Sequence, residues 1–302
     1  MLNPALVGNA DAIRERFAAA APFPHVVLDE FLQRDVADGL VDEFPPFETG
    51  NFIGDDGKPG RKSTLSRIHE LGASYRALDQ AIQSSAFLQF MSRATGIEHL
   101  LYDPFYLGGG THENLNGSAL DPHIDFNYHP SERWHRRLNL LLYLNPRWSR
   151  EWGGCLQLYA DPRVDATPSV TVVPAFNRCV IFETSERSWH GFDEIRLPVD
   201  DHPVPPSRRS IALYFYTSER PQAETADRHS TVYQHRPLPP RFIAGHTLTG
   251  QDVEALRALL AQRDAYIDMQ HAENRRLLQA QEHGLVGQIL YLMKRAYVRF
   301  RR

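Results

Sequence analysis

Asp121-Pro-His-Ile-Asp-Phe-Asn-Tyr-His is the stretch of this chain richest in groups that can do chemistry. If it ends a strand, side chains alternate between faces, and His123 and Asp125 share one of them. An imidazole and a carboxylate so placed can fill neighbouring positions on one metal ion. His-x-Asp alone is a weak signal, and its competing reading is a hydrogen-bonded surface pair. A third ligand comes from Ser188-Trp-His-Gly-Phe, whose His190 follows about 65 residues later, just past the apolar run 179–182. Two imidazoles and one carboxylate cover one triangular face of a metal and leave three positions open. That suits a divalent iron holding a bidentate ligand together with dioxygen.

A bidentate keto acid needs a cation for its far carboxylate. Arg208 precedes the strand-like run 210–216, and with Ser210, Ala212 and Tyr214 it falls on one face of that run. Its planar fork matches a carboxylate, and small neighbours leave room for one. Tyr143 stands near the end of its own apolar run and can add a phenolic hydrogen bond. Arg209 points the other way in this register, so Arg208 is the preferred anchor. The remaining histidines receive plainer readings. His129 and His135 sit among polar residues and are expected in exposed loops. His112, beside the glycines of Gly108-Gly-Gly, is read as a loop residue in preference to a pocket-lining one. Those glycines are not a phosphate loop, because no Gly-Lys-Ser/Thr follows. Trp134, Trp148 and Trp152 are expected to pack, and Cys155 and Cys179 to be buried thiols.

His123-x-Asp125, His190 and Arg208-x-Ser210 occur in that order, with Tyr143-Leu-Asn and Gly153-Gly154 between them. This set resembles the Fe(II)/2-oxoglutarate dioxygenases of the prolyl-4-hydroxylase-like group. The resemblance covers about 102–217 well, extends more loosely back to Phe23, and leaves out the last sixty or so residues. It implies a mainly β chain with helices, a jelly-roll-like double-stranded β-helix core with N-terminal packing helices. It implies Fe(II) as the metal, with 2-oxoglutarate and O₂ as co-substrates and ascorbate as an accessory reductant. The products would be succinate, CO₂ and a hydroxylated substrate, either a small molecule or a peptidyl group (prolyl, amino-acid or glycan-related). Asp125 points to hydroxylation, since related halogenases carry a small residue there. In one respect the chain departs from the family: the gap from His190 to Arg208 is longer than usual, and 197–207 reads as an inserted loop at the site mouth. A non-catalytic relative, its barrel kept as a binding or membrane-associated assembly module, is the alternative, and loss of a ligand or of the arginine would mark it.

The elements that must position these residues are legible as texture. Runs at 138–144, 155–159, 169–173, 179–182 and 210–216 read as strands separated by turns, with no helices alternating among them. That favours antiparallel pairing in a barrel or double sheet. Upstream, 23–32 reads as a short strand entering a helix, 36–44 and 74–94 have helical spacing, and 50–63 reads as a mobile loop. The domain is expected over 1–235, a Pro-rich linker over 236–248, and a helical extension over 249–302. Thr249 with Asp252 looks like a helix cap. Leu285 to Arg302 carries five basic residues and no acidic ones beside an apolar stripe. Docking on the domain or a homodimer contact is the plain expectation for it; peripheral attachment to an anionic membrane face is the sharper one.

With 302 residues and 42% apolar content, the chain can bury a core without staples. Thirty-three basic against 37 acidic residues gives a net charge of −4, which argues against nucleic acid as a partner. Two cysteines exclude a disulfide framework, so a cytoplasmic setting is expected, with the inner membrane face as its variant. The N-terminus has no basic segment ahead of an apolar core, and no window is apolar enough to span a bilayer.

Overall fold

The computed structural model describes residues 1–50, 61–198, 206–235, 238 and 241–283. In order the elements are α1 (Pro4–Gly8), α2 (Ala10–Ala19), β1 (His25–Leu28), α3 (Arg34–Asp42), β2 (Lys62–Leu65), α4 (Ala73–Ile82) and α5 (Ser85–Thr95). Then come β3 (Leu101–Tyr102), β4 (Gly110–Asn114), β5 (Leu120–Ile124), β6 (His135–Tyr143), β7 (Leu156–Tyr159), β8 (Val170–Val172) and β9 (Arg178–Glu183). The last are β10 (Trp189–Phe192), β11 (Arg208–Thr217), β12 (Val232–Tyr233) and α6 (Gly250–His283). The chain divides into one unit of Met1–Phe52 with Gly60–Pro237, and a second of Ile53–Pro59 with Leu238–Arg302.

All strand pairs of the first unit are antiparallel. One sheet runs β1-β9-β6-β11-β4-β2, with β3 also on β11; the other runs β12-β5-β10-β7-β8. This is the double-stranded β-helix. The run Leu138-Asn-Leu-Leu-Leu-Tyr shows why it forms. Leu138, Leu140 and Leu142 are fully buried on the outer face, in one cluster with Phe17 of α2, Tyr75 and Leu78 of α4, and Phe87 and Phe90 of α5. Leu141 and Tyr143 face the other way, against Leu156, Leu158 and Val172 of the second sheet. A strand covered on both faces has no solvated side, so its sequence is nearly continuous in apolar residues rather than alternating. Each buried leucine contributes roughly 1.5–3 kcal/mol.

Two helical expectations shift. The spacing of 74–94 predicts one helix, but two form, because Ser84 takes an extended backbone and its Oγ accepts from the Phe87 amide, capping α5. The end of the expected loop 50–63 is strand: Lys62 to Leu65 pairs with β4, while 51–60 lies outside the described residues. In the second unit, Thr249 and Asp252 exchange hydrogen bonds at the start of α6, the amide of each held by the side chain of the other. The basic segment 285–302 lies outside the described residues, as does most of the 197–207 loop. No helix among the described residues is long and apolar enough to cross a membrane.

Candidate metal centre and dicarboxylate pocket

His123 lies in β5 and His190 in β10, directly opposite one another in the register. Their rings stand 4.3 Å apart, centroid to centroid. Each is oriented in the same way. Nδ1 of His123 donates to the Asp121 carbonyl at 2.9 Å, and Nδ1 of His190 to the Ser188 carbonyl at 2.9 Å. A carbonyl can only accept, so Nδ1 carries the proton and Nε2 keeps its lone pair. Both lone pairs face Asp125, just past the end of β5. The Nε2 atoms lie 3.7 Å and 3.5 Å from its Oδ1 and Oδ2 respectively. Candidate donor atoms of the three residues all lie within 4.8 Å of one another. Gly191 allows this approach, because a Cβ there would lie 2.6 Å from the Leu120 carbonyl of the facing strand.

The protonation states suit a cation. Burial holds His123 down at about 3, with His190 beside it adding to the effect, and burial also lowers His190. Burial works to raise the Asp125 carboxyl. The Arg136 guanidinium overrides it, helped by both histidines and the Asn139 amide, and holds that carboxyl well below the usual range. Two neutral imidazoles and an ionised carboxylate, already converged, fit a divalent metal of intermediate softness.

Arg136 and Asn139 complete this arrangement. Arg136 is 1% exposed. Its Nη2 lies 3.1 Å from Asp125 Oδ2, and its Nε and Nη2 donate to Asn139 Oδ1 at 2.9 and 2.7 Å. Asn139 Nδ2 in turn donates to Asp125 Oδ2 at 2.7 Å. The guanidinium lies 3.5 Å above the Tyr214 ring. Neither residue stands out in the sequence as a partner of Asp125. The available signal was a polar Asn139 on the same alternating face as Tyr143.

Arg208 faces inward and is 4% exposed. Its Nε donates to the Gly154 carbonyl at 2.6 Å and its Nη2 to the Tyr143 hydroxyl at 3.2 Å, with the Phe192 ring 4.3 Å away. Gly154, at φ +64°, delivers that carbonyl; a Cβ there would press on Ile195, Trp148 and Arg208 together. Tyr143 ends β6 opposite Ser210 and is fully buried. Burial raises its phenol against the pull of Arg208, so it stays a donor. Arg209 takes the opposite face, where its Nε lies 3.0 Å from Glu113. The Gly154 carbonyl, the Tyr143 hydroxyl and the Phe192 ring are all neutral, so the charge of Arg208 is available to an anion.

The other histidines are placed differently from their sequence readings. His129 is fully buried, not exposed. Its Nδ1 accepts from the amides of Ser131 and Glu132, and its Nε2 sits 3.4 Å from Asp103, itself buried. His112 lies on β4, not in a loop, and His135 begins β6, half-buried. Trp134 packs near His129, Trp148 meets Trp152 edge-on, and both thiols are buried and free. Tyr233 of β12, opposite His123, brings a further ring to within 5.2 Å of that imidazole.

Residues 110–216 match the family model described as the 2OG-Fe(II) oxygenase superfamily. The chain is 27% identical over 209 residues to a Mus musculus protein named prolyl 3-hydroxylase OGFOD1, an alignment covering 65% of this chain and 33% of that one. It therefore spans about a third of that relative's length. A solved prolyl hydroxylase from Trichoplax adhaerens superposes with a TM-score of 0.49 at 16% identity, covering 70% of this chain and 91% of the other. A Pseudomonas putida prolyl-4-hydroxylase superposes at 0.47 and 16%, covering 69% and 99%.

Proposed function

We propose that this chain, which over residues 110–216 belongs to the 2OG-Fe(II) oxygenase superfamily, is an Fe(II)- and 2-oxoglutarate-dependent hydroxylase. The observation that carries the reading is the convergence of His123, Asp125 and His190 in one donor set, with Arg208 facing the same interior. Iron held by those three residues would supply the coupling of oxidative decarboxylation of 2-oxoglutarate, with O₂, to insertion of oxygen into a C–H bond, giving succinate and CO₂. Everything else falls to the chain. Asp121 and Ser188 carbonyls fix the imidazole tautomers. Arg136 and Asn139 keep Asp125 ionised and oriented. Arg208, with the Tyr143 hydroxyl bonded to it, would hold the distal carboxylate, and small Ser210 and Ala212 lie on the same strand beside it. His123, His190 and Arg208 are all buried, and a low-dielectric setting strengthens charge contacts of this kind.

The substrate class we favour is a prolyl group, free or peptidyl, which relies on the naming of the relatives above. Retention of all three metal-facing residues and of Arg208 counts against a non-catalytic barrel. Two free thiols accord with a reducing, cytoplasmic setting. Purified protein with Fe(II), ascorbate and 2-oxoglutarate is expected to release succinate without added substrate, and His190→Ala is not. Absence of succinate from iron-loaded wild type, or equal release by the variant, removes the proposal.

A further inference from the structure

His112 stands in the middle of β4, with Ser210 of β11 opposite it on one side and Thr64 of β2 on the other. Its neighbours fix which way it points. Thr111 lies opposite Ile211, which belongs to the outer apolar cluster, and Glu113 meets Arg209 on that same outer face. Alternation therefore turns His112 inward, beside Ser210. Ser210 in turn lies opposite Tyr143 of β6. Tyr143, Ser210 and His112 thus form one row across three strands, with about 10 Å between the outer two backbones. The Tyr143 end of the row carries the Arg208 guanidinium, and the residue between the two ends is small.

The two ring nitrogens of His112 are in different settings. Burial foremost, then Lys62 and Arg208, keep the ring neutral, while the Gly108 and Gly109 backbones pull the other way as hydrogen-bond acceptors. Nε2 is buried and meets no partner among the described residues. The acceptor backbones therefore hold the proton on Nδ1, and Nε2 keeps a lone pair. A buried nitrogen of this kind is seldom left unpaired in a native interior; a water or a ligand atom completes it. Only a donor can do so. A dicarboxylate offers acceptors alone, so it cannot bond to Nε2 directly. A water molecule can join the two, giving one hydrogen to Nε2 and the other to a carboxylate oxygen.

We propose that His112 is a positioning residue for the co-substrate: its Nε2 holds a water molecule that donates to the distal carboxylate of 2-oxoglutarate, on the side of Ser210 away from Tyr143. This inference rests on the co-substrate reading given above. It adds an uncharged contact on β4 to the charged one that Arg208 makes from β11.

The test compares full-length wild type, His112→Leu and His112→Gln, each loaded with Mn(II) and titrated with N-oxalylglycine, an unreactive dicarboxylate of matching shape. His112→Leu removes the lone pair and is expected to bind it about fivefold or more weakly, with Mn(II) affinity unchanged. His112→Gln keeps an acceptor oxygen near the place of Nε2 and is expected to stay within about twofold of wild type. His112→Ala takes the place of the leucine variant if that chain does not fold. The same proteins are titrated with oxalate, which keeps the chelating end and lacks the distal carboxylate; its affinity is expected to be unaffected. A smaller loss for N-oxalylglycine in a wild type that binds it overturns the proposal and leaves the co-substrate reading standing. A glutamine variant as weak as the leucine one overturns it too, because an acceptor is then not what the pocket needs. So does an equal loss for oxalate, which would mean a collapsed pocket. Wild type that binds Mn(II) but not N-oxalylglycine removes the co-substrate reading and this inference together.

Discussion

The guanidinium of Arg136, reaching inward from β6, lies 3.1 Å from the carboxylate of Asp125 at the end of β5. One sheet therefore carries the metal-facing carboxylate and the other its counter-charge. The pair ties the two halves of the β-helix together at the candidate metal centre.

Arg136→Met leaves a buried carboxylate with only the Asn139 amide and the two imidazoles to stabilise it. The Asp125 carboxyl then moves up toward protonation. Metal affinity is expected to fall by about ten- to hundredfold, and further as the pH is lowered. Mn(II) titrations at neutral and mildly acidic pH check this; an affinity equal to wild type at both would show that Arg136 is not what keeps Asp125 ionised.

Arg208→Ala and Arg209→Ala separate the two faces of β11. Loss of a buried charge partner costs on the order of 2–5 kcal/mol. Arg208→Ala is expected to raise the 2-oxoglutarate requirement at least about tenfold with metal binding retained. Arg209→Ala abandons Glu113 on the outer face and is expected to lower the melting temperature instead. Succinate release against 2-oxoglutarate concentration, with a melting curve for each variant, makes the comparison; an exchange of the two phenotypes contradicts the register.

Gly191→Ala puts a methyl 2.6 Å from the Leu120 carbonyl and 3.0 Å from that of Asp121. The methyl forces β5 and β10 apart, and these strands carry both histidines. Overpacking of this kind costs about 1–3 kcal/mol. The expected result is a lower melting temperature together with weaker Mn(II) binding, a combination that an ordinary surface substitution does not give.

The fourth prediction concerns pH. In the folded protein burial, with Lys62 beside it, holds the His112 imidazole at about 3, against a reference value of 6.5. Between those values the unfolded chain binds more protons than the folded one. The contribution is therefore complete above pH 6.5 and is lost as the pH falls toward 3. Metal-free protein is expected to lose stability over that interval, and His112→Gln to lose it with a shallower slope. Urea midpoints across the interval provide the measurement; identical slopes would assign the loss to other groups.

Much of the site was written in local pattern. Period-two alternation put His123 with Asp125 and Arg208 with Ser210, and the apolar runs 138–144 and 179–182 read as the strands they form. What the sequence hid depends on contacts between distant segments. His135 reads as an exposed loop residue and the strand only from 138, yet Arg136 beside it is buried, met by Tyr214 and Asp125 from elsewhere in the fold. His129 sits among Pro130, Ser131 and Glu132, yet two of their amides and Asp103, from another segment, satisfy its ring inside the protein. The break at Ser84 was a local cap signal masked by helical spacing on either side.

The short strand β12 has a practical bearing on where this chain can be cut. Val232 and Tyr233 add themselves to β5 beyond residue 216, where the family match stops. The preceding segment is fastened through Asp227 and His229 to Asn127. A fragment trimmed to the matched residues would leave the backbone amides and carbonyls of β5 facing solvent, and that strand carries His123. Such an open border recruits strands from neighbouring molecules. The smallest fragment expected to stay monodisperse thus extends through residue 235, so recombinant boundaries drawn from the matched segment alone should yield aggregates.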